Sequence, residues 1–303
     1  MIPGENHGAS RRAVVAALVT VQVFFGLHYT AAKYILTFLP PRAWAIMRIA
    51  PAAVLLMAYM VAARRDKLPR DRRDLAALAF FSIFGVVINQ VLFVEGLSRT
   101  ATSHSAIINT SIPVATLLIA ILMRRERATG RKLAGIVLSL AGVLYLIGHS
   151  GASLGGQIAV GDMLTLVNAL SYSFFLVISK PILSRHSSLG VTTWLLTFGA
   201  VGISVVGAPQ LATVDYAAVP TGVWWAAAFV ILFPTLGAYM LNSWALKRVE
   251  SSVVALFIYL QPLIASVLGV VWLGESLGAG TIFSAALIFT GVGIALTGTR
   301  RTA

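Results

Sequence analysis

Apolar residues along this chain come in blocks of about twenty, and the charged residues between the blocks fall in short clusters. The two-residue alternation of a half-buried strand is absent. A block of about twenty apolar residues crosses the roughly 30 Å bilayer core as a helix, and a helix satisfies its own backbone in lipid. The pattern predicts ten such helices, at roughly 13–36, 43–63, 75–96, 101–123, 131–148, 161–180, 191–210, 221–245, 251–273 and 281–298. The connections are mostly short and leave no stretch for a soluble domain. Only 11% of residues are charged, against about 25% in a soluble domain.

The net charge of +13 first suggests nucleic acid. The position of the charges argues otherwise. With the N-terminus inside, nineteen of the twenty-three basic residues fall on the cytoplasmic side, among them Arg11, Arg12, "RRDKLPRDRRD", "RRERATGRK", Lys180, Arg185, Lys247 and Arg248. Arg42 and Arg99 remain outside, while Lys33 and Arg48 fall within helices. This bias is the positive-inside rule, and it predicts both termini in the cytoplasm of a multi-pass cell (inner) membrane protein. The expected partners are membrane lipid and a small-molecule substrate, with no nucleic acid; a homodimer is left open. Residues 1–12 are short and polar, and the apolar stretch after them is too long for a signal-peptide core, so no cleavage is expected. The chain has no cysteine, which removes disulfides, thiolate metal sites and cysteine catalysis.

A shift of 149 residues lays Gly85–Gly148 over Pro234–Thr297 without a gap. Pro113 then meets Pro262, Glu126 meets Glu275, Ser103 meets Ser252 and Gly142 meets Gly291. In both copies the proline stands thirteen residues before the glutamate. A repeat of five helices, an odd number, must lie upside down relative to its twin. That inversion explains why Glu126 stands among arginines and Glu275 does not: positive charge is kept inside. The expected fold is therefore an all-α polytopic membrane protein, with ten transmembrane helices in two inverted five-helix repeats around a central cavity. Its expected parts are a tail over 1–12, repeats over 13–148 and 161–298, an external linker over 149–160 and a tail over 299–303.

"FFGLHYTAAKYIL" in the first helix, "WAIMRIAPAAVLL" in the second and the two Pro–x12–Glu phrases resemble the drug/metabolite transporter superfamily, in its EamA branch. The resemblance covers Val14 to Leu296. It implies two inverted five-helix halves around a cavity and export of small metabolites, often amino acids. Phe25–Gly26–Leu27–His28 stands where that family often has Trp–Gly followed by Ser or Asn.

Matched helix breaks point to the site in transporters with inverted repeats. Here they are Gly85/Pro234 and the kinks at Pro113 and Pro262. Ser105, Asn109 and Thr116 form a polar stripe at helical spacing. With it, His28, Tyr29, Asn89, Gln90, Tyr172, Tyr259 and Gln261 are the candidate substrate-binding residues. Interhelical hydrogen bonding is the competing role for each of them.

Lys33, Arg48 and Glu95 are candidate gating charges, through an Arg48–Glu95 or Lys33–Glu95 pair at the outer mouth; snorkelling is the alternative for Lys33. Glu126 and Glu275 each precede a new helix and are expected to cap its N-terminal dipole. No carboxylate falls near the bilayer centre. That favours a facilitator or exchanger, or proton coupling through His28, whose ordinary pKa is about 6.5.

No HExxH, GxSxG or paired acids suited to acid–base or metal work occurs, so no catalytic residue, metal or cofactor is expected, and an intramembrane enzyme is the competing class. The favoured cargo is neutral or zwitterionic, with amino acids first. An anionic metabolite is the runner-up, because Lys33 and Arg48 would attract it.

Overall fold

In the computed structural model, residues 11–63, 71–125, 128–153, 156–249, 254 and 257–297 are described. Every regular element among them is helical. They are α1 Arg11–Ile35, α2 Pro41–Ala63, α3 Arg72–Arg99, α4 Thr102–Leu122, α5 Gly130–Ser153, α6 Gly156–Arg185, α7 Ser188–Leu211, α8 Thr221–Arg248, α9 Leu260–Leu273 and α10 Ala279–Thr297. Eight helices are long and apolar enough to cross a membrane, and Phe257–Leu273 and Ala279–Gly291 are shorter apolar helices. Of the expected tails, residues 1–10 and 299–303 lie outside the described residues, as does Glu126.

The polarity of the bundle is that of a membrane protein. Val205 is 77% exposed and Trp225 74% exposed, while Asn89, Gln90, Asn109, Asn168 and Gln261 are buried. Exposed apolar surface on this scale is what lipid covers.

α1 packs on α8 and α9, and α6 packs on α3 and α4; α2 packs on α7, and α5 on α10. Exchanging the first five helices for the last five leaves this scheme unchanged. The α5–α10 contact explains the Gly142/Gly291 identity. A Cβ on Gly291 would stand 2.5 Å from the Ser139 nitrogen, and one on Gly142 2.9 Å from Leu287 Cβ. Each glycine lets the other half's helix approach, and Ser284 Oγ donates across the same contact to the Gly142 carbonyl at 2.8 Å.

The matched breaks take a specific form. α3 widens to a π-helix over Ile83–Ile88, and α8 does so over Ile231–Gly237, with Pro234 inside it. Proline has no N–H to donate, so carbonyls on the preceding turn lose their helical partner. Thr235 Oγ1 donates to the Val230 carbonyl at 2.8 Å, and Ser171 Oγ, from α6, to the Phe84 carbonyl at 2.8 Å. α4 is interrupted between Asn109 and Ile112, so Pro113 stands in the first turn of a new helical segment, where proline costs little. Before α9 a 3-10 turn, Phe257–Tyr259, occupies the matching position.

The boundary between α5 and α6 differs from the sequence pattern. The expected linker 149–160 is mostly helical, because α5 runs on to Ser153 and α6 begins at Gly156. The apolar count marks where side chains meet lipid, whereas a helix's hydrogen bonds continue past that depth.

Candidate functional site

Among the described residues the halves enclose a cavity of about 1000 Å³ of empty space, its open mouth included, with polar side chains set among apolar and aromatic ones. It is lined among others by Gln22, His28, Tyr29, Arg48, Asn89, Gln90, Asn109, Asn168, Tyr172, Tyr239, Asn242 and Gln261. Its lining reaches Leu183, Leu246 and Val254, towards the end of the bundle that carries Arg185 and Arg248. No residue at the opposite end, where Arg42 and Arg99 stand, lines it.

Two hydrogen-bond networks hold the lining. In the first, Asn109 Nδ2 donates to Tyr29 Oη at 2.7 Å, Tyr29 Oη to Gln261 Oε1 at 3.3 Å, and Gln261 Nε2 to Gln22 Oε1. This network ties α1, α4 and α9 together at the two helix interruptions. In the second, Arg48 Nε donates to Thr235 Oγ1 at 2.7 Å and Nη1 to Gln90 Oε1 at 2.8 Å. Gln90 Nε2 donates on to Tyr239 Oη at 2.9 Å and to Asn89 Oδ1, and Asn89 Nδ2 to Asn168 Oδ1 at 2.9 Å. Thr235 lies in one π-helical stretch and Gln90 just after the other, so each half supplies one partner for Arg48. Widening the helix rotates the side chains beyond it, and π-turns occur often at functional sites for this reason.

The walls are aromatic. His28 stacks on Phe93 with ring centroids 5.1 Å apart, and Phe175 lies 5.9 Å from Tyr172, whose hydroxyl accepts from Asn242 Nδ2 at 3.2 Å. His28 Nε2 and Asn109 Oδ1 are buried without a hydrogen-bond partner.

Seven of the eight expected binding residues therefore come together here: His28, Tyr29, Asn89, Gln90, Asn109, Tyr172 and Gln261. Tyr259 does not line the cavity; it packs on Phe289 at 5.5 Å.

The charged residues require correction. Neither Arg48 nor Lys33 pairs with Glu95. Arg48 stands about two turns inside α2 and lines the cavity, whereas Glu95 pairs with Arg42 Nε at 2.7 Å and with Arg99 one turn along its own helix. Arg42 and Arg99 reach the carboxylate from the first turn of α2 and the last turn of α3. Lys33 Nζ donates to the Leu97 carbonyl at 2.8 Å and the Thr100 carbonyl at 2.7 Å, neutralising the C-terminal end of α3. It has a protein partner and does not simply snorkel.

Glu275 does cap a helix, but a different one from the helix that follows it. It accepts from the Thr102 backbone N–H at 2.6 Å, Thr102 Oγ1 at 2.7 Å and the Ser103 N–H at 3.2 Å, at the start of α4. The left-handed Gly274, φ +67°, ends α9 and turns the chain towards α4. A Cβ on Gly269 would stand 2.6 Å from both the Glu275 carboxylate and Thr102 Oγ1, so only glycine leaves room for the cap.

Sequence reasoning missed Gln22, Asn168, Tyr239 and Asn242. For Tyr239 a signal existed: it lies 149 residues after Gln90, its partner, so the repeat register alone brings the two together.

The EamA-like transporter family model matches residues 12–148 and again 159–297, and the chain belongs to that family. The transporter YyaM of Bacillus subtilis (strain 168) is 23% identical over 91% of this chain and 90% of its own length. A transporter of Archaeoglobus fulgidus is 24% identical over 93% and 97%. A WAT1-related protein of Arabidopsis thaliana is 26% identical over 55% and 53%. A crystal structure 17% identical in sequence superposes with a TM-score of 0.67 over 97% of this chain and 100% of that one, a likeness of fold alone. The protein is a multi-pass membrane transporter, and the Bacillus and Archaeoglobus relatives carry transporter names.

Proposed function

We propose that the protein is a secondary transporter that exports small amphipathic metabolites, zwitterionic amino acids first, by alternating access. The observation that carries this reading is a polar, aromatic-walled cavity between the halves that reaches one end of the bundle only. Amides and hydroxyls suit a polar head, and aromatic walls suit an apolar body. The packing scheme that survives exchange of the halves supports two repeats, 13–148 and 161–298. Five helices in each make them inverted, and exchange of their conformations is the usual basis of alternating access.

The charge bias assigns the Arg185–Arg248 end to the cytoplasm. The cavity then faces inward, and the Glu95 pairs with Arg42 and Arg99 form the closed outer gate. Cysteines placed singly at exposed Ala128 and Ala212 test the orientation, since the chain has none of its own. An impermeant thiol reagent added outside should label Ala212→Cys and spare Ala128→Cys; the reverse pattern refutes it.

Function is tested by reconstituting the purified protein in liposomes and measuring counterflow of labelled leucine and phenylalanine. Saturable flux of chemically unchanged label is expected. Flux no greater than in empty liposomes sinks the amino-acid reading, and recovery of altered label supports the intramembrane enzyme.

A further inference from the structure

The cavity lining contains one permanent charge and nothing to neutralise it. Arg48 is 1% exposed, and both of its hydrogen-bond partners, Thr235 and Gln90, are neutral. Among the described residues no carboxylate comes within ion-pair distance of it, and its Nη2 has no partner. The buried acids are engaged elsewhere: Glu95 with Arg42 and Arg99, Asp74 with Arg185 and His186, and Asp162 with Thr100 and His104. A guanidinium withdrawn from water without a counter-charge is costly, and a structural role alone would be served as well by an uncharged donor. Only Nε and one Nη1 hydrogen are committed. Nη2 and the second Nη1 hydrogen donate to nothing among the described residues, which leaves charged donors for the oxygens of a carboxylate. Gln90 and Thr235, one from each half, fix the guanidinium plane so that those donors are preorganised.

We infer that Arg48 receives the carboxylate of the transported molecule, so that the carboxylate is obligatory in the cargo and an amine is not. This rests on the transport reading and narrows it: uncharged amphipaths and amines drop out, and amino acids and monocarboxylic acids remain. No lining residue carries a negative charge to pair with an ammonium group. The unpartnered Asn109 Oδ1 is a neutral acceptor that would accommodate an amine without requiring one. The His28–Phe93 stack and the Phe175–Tyr172 wall fit an aromatic or branched apolar body.

The test is a matched set of ligands titrated against purified protein, with binding read as a rise in melting temperature. Phenylalanine has both groups, 3-phenylpropionate only the carboxylate, phenethylamine only the amine and 3-phenylpropionamide neither. Leucine, 4-methylvalerate and 4-methylvaleramide repeat the comparison with an aliphatic body. Replacing the carboxylate should weaken binding at least about tenfold, and removing the amine should weaken it less.

Arg48→Gln should abolish the preference for carboxylates, each shift being taken from that variant's own ligand-free melting point. Arg48→Lys should retain part of it, because it keeps the charge and loses the planar donor set. If Arg48→Gln does not fold, the wild-type and Arg48→Lys titrations still decide.

The proposal is overturned if amines or amides bind as well as carboxylates, if Arg48→Gln keeps the preference, or if no carboxylate of the set binds at millimolar concentration. Stabilisation by chloride or phosphate equal to that by the carboxylates also overturns it. Liposome flux separates this outcome from that of the parent reading. Carboxylate binding without flux refutes transport and leaves the site, whereas saturable flux of phenethylamine refutes the site and leaves transport.

Discussion

The Arg42–Arg99 end of the bundle, which the proposed orientation places outside, and the central cavity both hold buried charge, and they treat it in opposite ways. At the outer end every described charge has a partner: Glu95 holds two arginines, Lys33 the carbonyls that end α3, and Glu275 the amides that begin α4. The α3–α4 junction is thus neutralised at both of its helix ends, by a lysine from the first half and a glutamate from the second. In the cavity Arg48 has neutral partners only, and His28 Nε2 and Asn109 Oδ1 have none. Satisfied polar groups fix a structure, whereas unsatisfied ones retain capacity for something that arrives. On the transport reading proposed above, closure falls to the Arg42–Arg99 end and recognition to the cavity.

The largest expected effects test that assignment on the recognition side. Asn109→Leu and Gln261→Leu each remove a member of the network joining α1, α4 and α9 from the cavity wall, and should lower liposome flux on the order of tenfold. Expression and melting temperature should change little, because leucine is close in size and tolerated in a bundle core. Normal flux in both variants would move recognition elsewhere.

Glu95→Ala tests closure. The arginines it holds are a third or more exposed on their side chains, so each pair contributes at most about 1 kcal/mol. Together they shift the balance between closed and open outer ends by up to about thirtyfold. A cysteine at Asn109 should then react faster with an impermeant reagent added outside in the Glu95→Ala background than with Glu95 intact. Equal labelling in both backgrounds would mean that Glu95 does not close this end.

The sequence carried the architecture further than the chemistry, for physical reasons. Lipid imposes a length on each apolar block, so most of the helices could be read off. The repeat register located both π-helical stretches, since Gly85 and Pro234 are backbone signals. Side-chain partners are different, because they depend on which helix face turns inward. Arg48 read as a gate charge from its depth alone, and Glu275 as the cap of its own next helix. The residue that overrides the local reading is Gly274, whose left-handed turn sends the carboxylate across to α4. Asn168 and Asn242 were lost because a lone amide in an apolar run looks the same facing a cavity as facing a neighbouring helix.

Glu275→Ala should produce a smaller and purely structural effect. It leaves the Thr102 and Ser103 amides at the head of α4 without their acceptor, at about 1–2 kcal/mol. Glu275→Gln keeps a carbonyl acceptor and loses the charge, so its melting temperature should fall between those of Glu275→Ala and wild type. Apparent affinity for cargo should be unchanged in both. A change in affinity larger than the change in stability would tie the cap to recognition and weaken the division drawn here.

The smallest effect is expected at Lys33, which like Arg48 is a cation within a helix. The two differ in what they touch rather than in charge. Lys33 is half-buried and its ammonium faces the carbonyls of Leu97 and Thr100, which a helix C-terminus leaves without intrahelical donors. A cation at that position contributes about 0.3–1 kcal/mol. Lys33→Gln retains an amide donor for one of the carbonyls, so the loss in stability should lie at the lower end of that range, with flux within about twofold of wild type. Arg48→Gln compared side by side should leave stability similar and remove flux. If Lys33→Gln instead depressed flux as far as Arg48→Gln while melting normally, cargo would have to meet Lys33 on its path. The outer end would then share in recognition, and its α3–α4 junction would have to open during each transport cycle.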